Sequence, residues 1–184
     1  MKRTFEEDLE RAIDFHGHLC AGQILGTRMS RIGLTHFGIE AGEDYQDLIV
    51  FVEADRCVAD TMISVAGCRI GRRRLKWYDF GKMAATFYDI QSNSAIRITA
   101  VNESRPGDNE DIIEFYQAIS DEDMFKIEQV EVVMDKYDLP GKPLRHTICE
   151  ECNEKILDGR DLEVAGRVLC KHCAGEPTYY RVIK

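Results

Sequence analysis

Hydrophobic residues near the start of the chain follow the spacing of a helix. Thr4 and Glu7 fit a capping box, the signature of a helix N-terminus. Behind them apolar residues recur every four positions, at Phe5, Leu9 and Ile13. This pattern predicts a first helix that begins after Thr4 and runs into a glycine-containing turn.

The same reasoning predicts the elements that follow. They are a helix over 20–37, a strand over 48–51, a helix over 57–66, strands over 82–88 and 95–101 joined by a polar turn, a helix opening at 108, and a last strand over 127–133. Polar and apolar residues alternate along 96–100, as in a strand with one exposed face. Helices interspersed with about four strands indicate an α+β fold with a mixed sheet, and we predict this core domain over residues 1–140.

The composition changes after this domain. Residues 135–144 carry two of the four prolines and little periodicity, which favours a linker. The segment 147–184 is too short for a stable core and needs a covalent or metal staple. It contains two CxxC pairs, Cys149/Cys152 and Cys170/Cys173, with 17 residues between them. Four thiolates in two such knuckles complete the tetrahedron that Zn²⁺ prefers, so a structural zinc finger is predicted over 147–184.

The overall charge limits the class of partner. The chain has 33 acidic and 24 basic residues, a net charge of −9, which argues against a nucleic-acid partner. No apolar run approaches the roughly 18 residues that a membrane span needs, and the acidic first residues do not resemble a signal peptide. We therefore expect a cytoplasmic protein without a membrane partner, whose thiols stay reduced.

Three cysteines lie outside the tail, and histidines accompany the first of them. The block His16-Gly-His18-Leu-Cys20 falls at the junction of two predicted helices, and Cys57 begins a further predicted helix. Helix starts favour a thiolate, and imidazole with thiolate suits zinc or a similar divalent ion. Three protein ligands would leave an open position for water or substrate. For Cys68 and Cys57 taken singly, a small buried hydrophobic residue remains the alternative.

A basic run follows the third of these cysteines. Residues 69–76 hold five basic side chains in an otherwise acidic chain. Arg69, Arg72 and Arg73 are candidates for binding the phosphate or carboxylate of a cofactor or substrate. The alternative is a solvated loop that balances the acidic surface.

Four segments of the chain resemble motifs of the FmdE family, which is named for formylmethanofuran dehydrogenase. In order they are FHGHLCAGQILG at 15–26, EADRC at 53–57, GCRIG at 67–71 and DFGKMAATFYD at 79–89. The double CxxC is similar to the finger that many members carry, whereas Ala21 stands where the family usually has proline. The resemblance implies a thioredoxin-like core with a mixed sheet flanked by helices, a treble-clef zinc finger and often a homodimer.

The resemblance also implies a cleft in the core, able to hold zinc in some members. It would be lined by His16, His18, Cys20, Cys57 and Cys68. The leading hypothesis is a metal-binding accessory protein for an anaerobic molybdenum or tungsten C1 oxidoreductase, whose subunits would be its partners; the family is named for such an enzyme of methanogenesis. A second hypothesis makes Cys20 or Cys57 a catalytic thiol in redox or sulfur-transfer chemistry with His18 as base. A third is a non-catalytic zinc-finger interaction or regulatory protein.

Overall fold

The capping box at Thr4 forms in the computed structural model, which describes residues 3–181 and residue 183. The Thr4 hydroxyl accepts a hydrogen bond from the Glu7 backbone N–H, and the Glu7 carboxylate accepts one from the Thr4 N–H at 2.7 Å. Helix α1 (Phe5–His16) follows and ends at Gly17, whose φ of 96° lies in the left-handed region that glycine adopts without strain. The first helix is therefore confirmed.

The chain divides into two compact units, Met1–Val133 and Met134–Lys184, and each is described by itself. In unit 1 the remaining elements are α2 (Ala21–His36), β1 (Leu48–Val52), α3 (Cys57–Ser64), a 3₁₀ turn (Ile70–Arg72), β2 (Leu75–Trp77), β3 (Ala84–Asp89), β4 (Ser94–Ala100), α4 (Ile112–Ala118), α5 (Asp121–Met124) and β5 (Phe125–Val130). None of the described helices is long and apolar enough to span a bilayer.

The strands of unit 1 form one mixed sheet in the order β2-β1-β3-β4-β5. Strand β1 pairs parallel with β2 and antiparallel with β3, and the other pairs are antiparallel. Strand β3 lies at the centre and is buried along its whole length. Large side chains such as Ile24, Met29, Phe87 and Ile98 form the core where helix and sheet meet. The α+β class with a mixed sheet is confirmed.

Three features of unit 1 differ from the sequence expectation. Strand β2 was not predicted, because it has only three residues and begins inside the basic run. Helix α4 begins at Ile112 rather than 108, since the Asp111 carboxylate accepts hydrogen bonds from two N–H groups of the first turn. The last strand ends at Val130, three residues earlier than predicted, and begins at Phe125 directly after the short helix α5.

Unit 2 consists of two small hairpins. After a 3₁₀ turn (Lys136–Asp138), strands β6 (His146–Ile148) and β7 (Lys155–Leu157) pair, and so do β8 (Asp161–Val164) and β9 (Arg167–Cys170). Among its described residues, the buried hydrophobic cluster comprises only Cys149, Ile156 and Leu169. Such a core is too small to hold the unit together, so its stability depends on the cysteines described below.

Candidate functional site

Three element ends bring two cysteines and a histidine together in unit 1. His16 is the last residue of α1, Cys20 is the N-cap of α2, and Cys57 is the first residue of α3. One donor atom of each lies within 4.8 Å of the others, and the two Sγ atoms are 3.5 Å apart. Thiolates on a tetrahedral zinc with bonds of about 2.3 Å would be about 3.8 Å apart. The three donors thus have nearly the spacing of a metal site.

The His16 ring is oriented by a carboxylate. Its Nδ1 lies 2.7 Å from Oδ2 of Asp60, an acceptor, so Nδ1 donates the proton, and in the neutral imidazole the lone pair is on Nε2. Nε2 is buried and has no hydrogen-bond partner in the described part of the chain. A carboxylate–imidazole pair with a free second nitrogen is the usual arrangement of a metal-binding histidine. Asp60 was not predicted from the sequence; its signal was the position three residues after Cys57, on the same helix face.

Two glycines allow α3 to approach α2 closely enough to form this group. A Cβ added at Gly22 would lie 2.8 Å from Cβ and 3.2 Å from Sγ of Cys57, and one at Gly26 would lie 2.3 Å from the Thr61 hydroxyl. The two glycines are four residues apart, as are Cys57 and Thr61, so one helix face fits against the other. The bare backbone at Gly22 therefore sets the distance between Cys57 and Cys20.

The surroundings of Cys57 oppose the thiolate character that is expected at a helix start. Burial, together with the hydrogen bond between its thiol and Cys20, raises the pKa of Cys57 above the usual range despite its place at the helix start.

Two other predicted residues are not part of the donor group. His18 is exposed, and its ring centroid lies 4.5 Å from that of His16, so the two rings are in contact. Cys68 is fully buried in the core, where its thiol points to the Leu48 carbonyl at 3.7 Å. Burial raises the pKa of Cys68 to about 12, as expected of a thiol in apolar surroundings.

A cleft of about 460 Å³ opens beside the donor group. Its wall includes His16, Cys57 and Asp60, and apolar side chains such as Val52 and Trp77 form much of the rest. The indole of Trp77 is half exposed at the rim. The donor group therefore borders a largely apolar space of small-molecule size.

The predicted arginines separate in the structure. Arg69 and Arg72 line a second cavity, on which Arg73 does not border. Arg73 instead ends the 3₁₀ turn with a left-handed φ of 61°. Among the described residues, none lines both this second cavity and the cleft beside His16.

The four cysteines of unit 2 form a separate cluster. One donor atom of each of Cys149, Cys152, Cys170 and Cys173 lies within 4.8 Å of the others. The backbone N–H groups of Cys170 and Cys173 point to the sulfurs of Cys149 and Cys170, at 3.3 and 3.4 Å. Hydrogen bonds from backbone N–H groups lower the pKa of Cys149 to about 6, and the bond from the Cys152 N–H has the largest effect. This donor set fits Zn²⁺ and supplies the staple that unit 2 needs.

Comparison with known proteins adds to this picture. Residues 15–141 match the family model described as "FmdE, Molybdenum formylmethanofuran dehydrogenase operon". Residues 142–179 match that of the prokaryotic dksA/traR C4-type zinc finger.

Two individual proteins are similar to this chain. A curated relative from Archaeoglobus fulgidus, named a probable S-adenosyl-L-methionine-binding protein, is 30% identical over 212 aligned residues. The alignment covers 95% of this chain but 54% of the relative, so the chain spans about half the relative's length. The crystal structure of a tungsten formylmethanofuran dehydrogenase FmdE-like protein from Syntrophus aciditrophicus matches with a TM-score of 0.57 at 18% identity. That match covers 94% of this chain and 93% of the other, and at such identity it shows a shared fold.

Proposed function

Since this chain belongs to the FmdE family and carries a C4-type zinc finger, we propose that it is a metal-binding accessory protein with two metal sites. The finger holds a structural zinc. In unit 1, His16, Cys20 and Cys57 hold a second divalent ion, zinc or one of similar softness. The observation that carries this proposal is the buried Nε2 of His16, which has no partner among the described residues and belongs to a group with two thiols.

Each residue of the group has a separate task. Cys20 and Cys57 lose their protons on binding and supply negative charge, and His16 supplies a neutral nitrogen. Asp60 keeps the imidazole in the tautomer that leaves Nε2 free. A metal with three protein ligands supplies an open coordination position that polarises a bound water or substrate. The neighbouring cleft would admit that molecule and exclude bulk water from one side.

The proposed partner is a molybdenum or tungsten C1 oxidoreductase. This part of the proposal rests on the family description, which names a molybdenum formylmethanofuran dehydrogenase operon, and on the solved neighbour, which is named for the tungsten enzyme. The finger would dock on one of that enzyme's subunits. The thioredoxin-like core, the treble-clef finger, the homodimer and the cytoplasmic location remain predictions from the sequence.

A second candidate function is thiol redox chemistry. The 3.5 Å between the sulfurs of Cys20 and Cys57 favours it, because a modest side-chain movement would allow a disulfide of about 2.05 Å. In this case the pair would carry two electrons instead of a metal.

The metal content of the purified chain distinguishes the two candidates. Elemental analysis should give two metals per chain for the wild type and one for Cys20→Ser and for His16→Ala. Cys68→Ala serves as the control, since Cys68 is a core thiol outside the donor group, and it should keep both metals. One metal in every variant, with a Cys20–Cys57 disulfide found after mild oxidation, would favour the redox function. One metal and no such disulfide would leave a zinc-finger interaction protein.

A further inference from the structure

Five arginines line a polar cavity of about 510 Å³ in unit 1. They are Arg3, Arg11, Arg69, Arg72 and Arg74. Two carboxylates, those of Glu43 and Asp44, border the same cavity. In a chain with a net charge of −9, this is a local excess of positive charge.

Two of the arginines, Arg3 and Arg74, bind other groups of the protein. Arg74 is buried and donates hydrogen bonds to the carbonyls of Tyr45 and Gly67. Arg3 forms an ion pair with Asp8 at 2.6 Å and donates to the Val65 carbonyl. These two side chains satisfy backbone groups around the cavity and build its wall.

The other three arginines have no such role. Arg11, Arg69 and Arg72 are exposed, and in the part of the chain that the structure describes their side chains make no hydrogen bond or ion pair. Their positive charges outnumber the two carboxylates at the cavity, so the electrostatic potential there favours an anion. Arg69 and Arg72 were predicted from the sequence, but Arg11 reaches the cavity from α1, far away along the chain.

The loop that carries Arg69 and Arg72 is held in a particular shape. The 3₁₀ turn closes through hydrogen bonds from the Arg72 N–H to the Arg69 carbonyl and from the Arg73 N–H to the Ile70 carbonyl. Arg73 then adopts a left-handed φ of 61°, a conformation that residues other than glycine rarely adopt. This geometry directs Arg69 and Arg72 to the same cavity and Ile70 to the cleft beside His16.

We propose that this cavity binds an anion with two or three linked phosphates. A guanidinium group binds phosphate oxygens in a bidentate manner, and three uncommitted guanidinium groups match several phosphate charges better than one. The volume is that of a small-molecule site rather than of a single ion. If the phosphates belong to a nucleotide, Glu43 and Asp44 can accept hydrogen bonds from its sugar hydroxyls.

Isothermal titration of the full zinc-loaded chain with inorganic pyrophosphate, inorganic triphosphate and adenosine triphosphate at about 0.15 M salt tests this proposal. We expect saturable binding that is at least tenfold tighter than for sulfate. Arg69→Gln and Arg72→Gln should each weaken it about tenfold, the effect of one lost charge-assisted hydrogen bond. Arg56→Gln is the matched control, because Arg56 is exposed and lines the other cleft.

The outcomes separate the sources of the phosphate. Equal affinity for inorganic triphosphate and adenosine triphosphate would support recognition of the phosphate chain alone, and tighter binding of the nucleotide would support a nucleoside subsite. Because polyphosphates chelate zinc, the titration is repeated on Cys20→Ser, which should bind the anion as the wild type does. Absence of saturable binding, or the same affinity in Arg69→Gln, Arg72→Gln and Arg56→Gln, would overturn the proposal.

Discussion

Substituting Gly22 with alanine should separate the stability of unit 1 from its affinity for metal. The added methyl group would lie 2.8 Å from Cβ of Cys57, about 1 Å inside an ordinary carbon–carbon contact. Overpacking of this kind costs about 1–3 kcal/mol, whereas alanine gains about 1 kcal/mol over glycine in a helix. The free energy of unfolding should therefore fall by no more than about 2 kcal/mol.

The effect on metal binding should be larger than the effect on stability. Metal–ligand distances tolerate about 0.2 Å, so moving Cys57 by a sizeable part of about 1 Å spoils the geometry of the group. We expect Gly22→Ala to weaken metal binding in unit 1 by about 10–100-fold, the range seen when the support of a metal ligand is lost. The assay is competition with a chromophoric chelator after the finger is filled, together with urea unfolding.

Two further glycine variants serve as controls for Gly22→Ala. Gly71→Ala adds its methyl group in open space and should change neither quantity. Gly26→Ala overlaps Thr61 one helical turn away from Cys57, and Thr61→Ala should restore its stability. If Gly22→Ala binds metal as tightly as the wild type while its stability falls, Cys57 is not a ligand and the reasoning about the donor group is refuted.

Three other expectations follow from individual contacts. Asp60→Asn should weaken metal binding in unit 1 by about 10–100-fold with little change in unfolding, because the neutral amide is a weaker acceptor for the His16 N–H than the carboxylate is; unchanged affinity in the chelator assay would contradict this role. Burial acts to raise the pKa of Asp89, but hydrogen bonds from Ser92 and Tyr45 outweigh it and the pKa is lowered. The stability that Asp89 contributes is therefore present above the ordinary carboxyl pKa of about 3.9 and is lost as the pH falls through the lower folded value. Urea unfolding should show Asp89→Asn destabilised near neutral pH and close to the wild type in strong acid, and an equal difference at both would count against it. Stripping all metal with a strong chelator should make residues 134–184 sensitive to protease while unit 1 keeps its circular dichroism, and a protected tail would argue against zinc as its staple.

The features of this molecule that depend on residues close together in sequence could be predicted. The capping box at Thr4 and the two CxxC knuckles depend on residues close in sequence, and both give the expected geometry. Asp60 was missed because its partner His16 lies 44 residues away, and only the packing of α1 against α3 brings them together. Gly22 was missed for a similar reason, since it matters because it has no side chain at the point where α2 contacts α3.

Cys68 shows the limit of arguing from residue type. Taken singly it was expected to be a small buried hydrophobic residue, whereas the family resemblance placed it among the residues that line the cleft. The thiol nevertheless turns inward and its backbone N–H bonds to the Met62 carbonyl, so it packs as a core residue. Which way a side chain faces at the end of a helix depends on tertiary packing that a one-dimensional pattern does not contain.

The small apolar core of unit 2 ties the folding of this unit to zinc, because three buried residues bury too little surface to hold it together. The four thiolates of unit 2 are the softer of the two donor groups. On the proposed function, the finger would therefore take the first equivalent of zinc, and unit 2 would fold before the group at His16 is filled.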